Sequence, residues 1–318
     1  MSSPTTKVND IILGLPGETY QSFLKSIEEV MQSDVKNQLS IRFCRVLPDS
    51  ELAQAKYQKK YKISTIRIPL SEIHFKRTKK DVKEYEDIVI STATMPVEDW
   101  KRAVVFSWVV QLLHSLKLGF FILVYLADRH AVKYTDFVEY ISMLKIKTNH
   151  IKLLRSEVSG FYQRLDLILQ GNPRGVAMPD FGSIYWEPEE ASYLSISNQK
   201  DKFYDEMCEV VKEYLDSTGV NYNGEEFEEI IKYQKLRVPG YNPPKITAHY
   251  FDRNIPEYFD NYFLGRQHGL SRSPKVMRLL DVKDYRGDKK AFAQEIVVHG
   301  RGNDQMLYSV QWANPGCP

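Results

Sequence analysis

The sequence predicts an α/β segment over residues 1–62 followed by a mainly helical α+β domain over 63–318, with a subdomain break near 171–183. Three observations predict it. Val8 to Leu15 is a short apolar run, and Leu39 to Leu47 alternates apolar and polar residues, as strands do. Between them Tyr20, Phe23, Ile27, Val30 and Met31 recur at three- and four-residue steps, one stripe of an amphipathic helix. Beyond residue 62 the apolar periodicity is mostly helical.

Each element follows from its residues. Gly14, Pro16 and Gly17 end the first strand, and the helix runs from Thr19 to about Ser33. Strand, crossover helix and strand fit in about 40 residues, enough for one right-handed βαβ unit. After Pro48, Glu51 to Tyr61 reads as a polar helix and Ile63 to Phe75 as β-branched and extended. Lys76 to Lys83 holds five basic residues in eight, the pattern of a solvated loop, and lacks the interleaved aromatics of a nucleic-acid site. Pro96 with Glu98 and Asp99 opens a helix whose Trp100, Val104, Trp108 and Leu112 lie near one face. Ala103 to Leu126 is mostly apolar, but Ser107, Gln111, His114, Ser115, Lys117 and Gly119 interrupt it. It is predicted as two buried core segments broken near Lys117–Gly119, not a membrane span. Further helices are predicted over Thr135–Leu144, Ile151–Leu169, from Trp186, and over Lys200–Leu215, Glu225–Tyr233, Ile255–Phe263 and Lys289–Val298. Lys245–Phe251 and Val276–Val282 read as extended.

Composition excludes several classes. With 43 Lys plus Arg against 41 Asp plus Glu, the net charge of +2 is not that of a polyanion-coating protein. The three cysteines, Cys44, Cys208 and Cys317, are too far apart for a metal knuckle or a disulfide framework, so a reducing, cytoplasmic location is expected. The start, Met1 to Lys7, has no apolar signal-peptide core. The seven histidines form no metal-binding pair, so no metal site is expected. Glu187, Glu189 and Glu190 read as helix-capping acids beside Pro188.

The sharpest motif is Asp10-Ile-Ile-Leu-Gly-Leu-Pro-Gly-Glu-Thr19. It lacks the Gly-Lys-Ser/Thr end of a phosphate loop and the Gly-x-Gly-x-x-Gly of a dinucleotide fold. Two readings stand. A buried strand delivers its C-terminal end, where α/β folds bind ligands. Otherwise the segment is a plain strand-to-helix turn with Glu18 complementing the helix N-terminus.

This motif, followed by a helix, a strand and Leu47-Pro-Asp-Ser-Glu-Leu52, resembles the late βα segments of the radical S-adenosylmethionine (SAM) core. The nearest subgroup is the cobalamin-binding radical SAM proteins, many of them methyltransferases. Met95-Pro-Val-Glu-Asp-Trp-Lys-Arg-Ala-Val-Val-Phe-Ser-Trp108 and Trp186-Glu-Pro-Glu-Glu-Ala-Ser192 resemble the C-terminal region of the same proteins. The resemblance implies a partial radical SAM βα barrel, its last βαβ, ahead of the helical domain. It implies that Ile12 lies against the SAM adenine and that Gly14 marks the strand end. It places Glu18 in the turn, and Leu47 and Pro48 close to adenine.

The resemblance also implies a Cys-x3-Cys-x2-Cys loop holding a [4Fe-4S] cluster, and this chain has no such triplet. The expectation is therefore the C-terminal portion of a cobalamin-dependent enzyme, lacking the cluster-binding half, that transfers a methyl group and is inactive alone. The alternative is a binding or assembly module that docks onto a separately encoded cluster-bearing half. On either reading the partner is the missing N-terminal half of the barrel, in the same or a separate chain. Neither nucleic acid nor a membrane is expected as a partner. No cofactor is assigned to the chain alone; the resembled family uses SAM, a [4Fe-4S] cluster and cobalamin.

Overall fold

Helices and small sheets alternate along the computed structural model, which describes residues 9–33, 38–75, 83–303 and 305–316. In chain order, β1 (Asn9–Leu13), α1 (Tyr20–Gln32) and β2 (Leu39–Phe43) precede α2 (Ala55–Tyr61), β3 (Ser64–Pro69) and β4 (Tyr85–Ser91). Next come α3 (Val97–Val110), α4 (Phe120–His130), α5 (Tyr134–Ser142), α6 (Leu153–Leu169) and the short strands β5 (Val176–Ala177) and β6 (Tyr185–Trp186). Then follow α7 (Pro188–Ser197), α8 (Lys200–Thr218), α9 (Gly224–Arg237), β7 (Ala248–Phe251), α10 (Ile255–Phe263), β8 (Lys275–Leu279), a helical stretch comprising Lys289–Phe292, the π-helical Ala293–His299 and Gly300–Asn303, and β9 (Val310–Ala313). The basic run falls outside the described residues except for Lys83, and Cys317 falls outside them too.

The chain forms two compact units. One is Met1–Ser115, Lys133–Lys145 and Leu154–Ser192; the other is Leu116–Val132, Ile146–Leu153 and Tyr193–Pro318. Within the first unit, β4 joins the strand pairing begun by β1 and β2.

In the first unit β1 and β2 pair in parallel, Ile12 opposite Arg42 and Leu13 opposite Phe43. Thr19 caps α1 with a reciprocal box. Its hydroxyl accepts the Ser22 N–H at 3.0 Å, and the Ser22 hydroxyl accepts the Thr19 N–H at 2.8 Å. Such a cap stabilises a helix by about 1 kcal/mol. Tyr20, Phe23, Ile27 and Met31 are the buried stripe of α1, and the Phe23 and Phe106 rings meet edge to face at 6.3 Å.

The far edge of β2 is closed in two ways. α3 runs into a π-helical turn, Gln111–Ser115, whose side chains bond the strand's backbone. Gln111 Oε1 accepts the Ile41 N–H at 3.3 Å, and the Ser115 hydroxyl accepts from Leu39 N and donates to Leu39 O. Further along, Cys44 O accepts from Val89 N at 2.9 Å and Val46 N donates to Asp87 O at 2.8 Å, linking this segment antiparallel to β4. β4 in turn pairs antiparallel with β3. Among the described residues β1 has β2 as its sole strand partner.

The second unit packs aromatic side chains of α4, α9 and α10. Phe121 meets Tyr233 and Phe259 at 4.8 Å, and Tyr233 stacks on Phe259 at 5.0 Å. Gln234, fully buried, accepts the Phe121 N–H at 2.7 Å and donates to Lys117 O at 2.8 Å, satisfying backbone groups at the start of α4. Lys117 itself is 3% exposed, with its ammonium 3.9 Å from the Phe120 ring centroid. The antiparallel sheet β7-β8-β9 lies in this unit. On α4, Asp128 accepts from Tyr258 at 2.6 Å and bonds His268 Nε2 at 3.0 Å; His268 Nδ1 faces Arg266 O at 2.9 Å.

Among the described residues no single helix is long and apolar enough to cross a membrane. Val97–Ser115 and Phe120–His130 reach that length and apolarity only when joined across their break, where Lys117 adopts φ +64°.

Candidate functional site at the ends of β1 and β2

Ile12, Gly14 and Glu18 lie at and just beyond the C-terminal end of β1, and Leu47 and Pro48 lie in the segment that follows β2. Ile12 is 46% exposed and Leu47 61% exposed, unusual for aliphatic side chains at the end of a parallel pair. Pro48 is exposed beside Leu47, and Gly14 is buried. Gly14 adopts φ +97° and Gly17 φ +94°, conformations that side chains with a Cβ rarely adopt. A Cβ on Gly14 would meet Trp100 Cδ1 and Nε1 and Val89 O, all at 3.7 Å, so there is room for it and only the backbone angle demands glycine.

Glu18 closes the turn on itself. Its carboxylate accepts the Gly14 N–H at 3.0 Å, its own N–H donates to Leu15 O at 3.1 Å, and its carbonyl accepts the Thr94 hydroxyl at 2.7 Å. Burial pushes the Glu18 carboxyl above its ordinary pKa, against the Gly14 and Leu15 backbone hydrogen bonds that lower it. Gly14 and Glu18 are thus held together. Leu47 and Pro48 lie beyond the end of β2, and among the described residues no hydrogen bond ties them to the other three.

The walls include residues that sequence periodicity assigned to core or left unread. Trp100 is fully buried against Gly14, and its indole N–H has no hydrogen-bond partner among the described residues. Phe43 packs on Trp100 at 5.6 Å and on Trp108 at 6.4 Å, and the Arg174 guanidinium sits 5.7 Å from the Phe43 ring. Trp100 was legible as a stripe residue. Arg174 carried no signal, because its placement depends on a loop far along the chain.

The donor set does not fit an iron–sulfur cluster. Cys44 is 1% exposed, and burial raises its thiol pKa, with Glu18 adding to the effect. Cys208 lies in the other unit, half-buried. Among the described residues no three His, Cys, Asp or Glu side chains converge to hold a metal ion. For SAM, the strand end offers a partial fit: an exposed aliphatic side chain at Ile12, and the unpartnered indole N–H of Trp100 beside Gly14.

No family model matches the chain, but it is distantly similar to cobalamin-dependent radical SAM methyltransferases, and this similarity supports that family. One relative is the cobalamin-dependent radical SAM methyltransferase TokK of Streptomyces tokunonensis, 23% identical over 277 residues, 79% of this chain and 38% of the relative. Another is the 2-(S-pantetheinyl)-carbapenam-3-carboxylate methyltransferase of Streptantibioticus cattleyicolor, 23% identical over 323 residues, 91% of this chain and 44% of the relative. The chain therefore spans less than half the length of the curated relatives it matches.

Proposed function

We propose that this chain is the C-terminal part of a cobalamin-dependent radical SAM methyl-transferring system and works only with a cluster-bearing N-terminal half. The observation that carries the reading is β1. It is a strand with one parallel partner, and it ends in exposed Ile12 and the tied Gly14–Glu18 turn. Parallel strands normally have neighbours on both sides and both faces covered. The β1 edge and the exposed Ile12 and Leu47 are what an added strand and a bound adenosyl group would cover. The donor set for a cluster is absent from the described residues, so cleavage of SAM belongs to the other half. This chain contributes one wall of the adenine site and a helical domain.

The second reading, an assembly module for a separately encoded half, rests on the same edge. The DNA upstream separates the two. A Cys-x3-Cys-x2-Cys loop in the same frame makes the chain one polypeptide with its partner; one in a separate frame makes it a module. Co-expression with that half, anaerobic reconstitution and an assay for 5′-deoxyadenosine test both. We expect product only when the two halves are together. If the chain is a stable monomer, no cluster-bearing half is encoded beside it and it does not bind SAM, both readings fail.

A further inference from the structure

We infer that Lys200 is an imine-forming amine, set in a cavity of the second unit where it condenses with the carbonyl group of a small aldehyde or α-oxo acid. This inference is independent of the methyl-transfer reading. The cavity, open to one side, spans about 300 Å³ and is bordered by Asn198, Lys200, Asp201, Lys235, Gly240 and Asn242. The half-buried Lys200 side chain leaves the first position of α8. Its Nζ donates to Val238 O at 2.9 Å, so its hydrogen-bond partner there is a neutral carbonyl. A Cβ on Gly240 would lie 3.3 Å from that Nζ, and glycine keeps the amine's side of the cavity open.

Burial, and not the balance of neighbouring charge, disfavours an ammonium, since Asp201 opposes the shift more than Lys235 supports it. The adjacent carboxylate, Asp201, is engaged 2.7 Å away by Lys235. Lys235 is itself a second cation on the cavity wall. The positive end of the α8 dipole lies at Lys200, and no side chain caps it. Burial acts first and Lys235 adds to it, against Asp201, and the amine's pKa falls to about 8. At pH 7.5 about a quarter of such amines are neutral, against about one in a thousand for an ordinary lysine.

The reaction balances within the pair of reactants. The Nζ lone pair adds to the carbonyl carbon to give a carbinolamine. The carbonyl oxygen then leaves with the two amine protons as one water, and the C=N bond forms with no change of oxidation state.

The test uses the full chain with glyoxylate as probe, trapping by cyanoborohydride and site-resolved peptide mass spectrometry. Lys25, whose side chain is 77% exposed, is the internal reference. We expect Lys200 to be trapped at least ~10-fold faster than Lys25 at pH 7.5, with a rate midpoint near the lowered pKa. Gly240→Ala should slow Lys200 by a similar factor and leave Lys25 unchanged. Trapping of Lys200 no faster than Lys25 in the folded chain overturns the inference, and so does a Lys200 rate that ignores Gly240→Ala.

Discussion

Replacing Gly14 by alanine isolates what the turn after β1 requires. The backbone there has φ +97°, and the new Cβ would sit 3.7 Å from its nearest neighbours, ordinary van der Waals contact. The cost is therefore conformational, about 1–2 kcal/mol for an L-residue forced into the left-handed region. For a chain of this size that is roughly 2–6 °C in the first thermal transition. Gly17→Ala is the matched control, with φ +94° and nothing within 4 Å of the added Cβ. Urea unfolding followed by circular dichroism should give both variants the same loss. Equal stability of Gly14→Ala and the parent chain would refute the argument from φ. A loss above about 4 kcal/mol at Gly14 alone would show that packing on Trp100 sets the residue. In the reconstituted two-half assembly, Gly14→Ala should weaken SAM binding more than Gly17→Ala, since only Gly14 faces Trp100 and the end of β1.

Two further outcomes concern pH. Because burial raises the Glu18 carboxyl, the folded chain holds a proton that the unfolded chain has released between the ordinary and the raised pKa. Stability contributed here falls as pH rises through that window, so Glu18→Gln should gain on the parent in urea midpoints as pH rises above the ordinary carboxylate range. His268 presents both ring nitrogens to acceptors, Arg266 O and Asp128, an arrangement only the imidazolium satisfies with two donors. Its pKa is raised, first by the Arg266 carbonyl and then by Asp128. Its stabilisation is present below the ordinary imidazole pKa and is lost as pH rises through the raised one. Asp128→Asn should lower the His268 titration midpoint by NMR and cost about 1 kcal/mol near pH 5.5, less near pH 8. An unchanged midpoint would sink that assignment.

Periodicity located the elements that report on one buried face at a time. The stripe of α1 and its Thr19 start were readable because capping and burial both act within a turn or two of the helix. The residues Glu51 to Tyr61 look uniformly helical, yet Gln54 is extended and splits them into a 3-10 turn and α2. β4 went unread although Ile88, Val89 and Ile90 are consecutive and apolar. Its identity as a strand depends on partners in β3 and at Cys44 and Val46, which are remote in sequence. In the site, Gly14 and Glu18 were legible because they act on each other across four residues. Trp100, Phe43 and Arg174 share a wall for reasons of tertiary packing that no local pattern encodes. Gln234 shows the same limit, since a buried amide serving the backbone of α4 looks like any polar helix residue in the sequence.

The side chains of Gln111 and Ser115 occupy backbone groups of β2 that another strand would otherwise use. That arrangement gives the strand pair a direction of growth. A second copy of the chain finds β2 already taken and can add to the pair only along β1. Two β1 edges joined about a two-fold axis then leave neither one open. Self-association by this route stops at a closed pair of β1 edges.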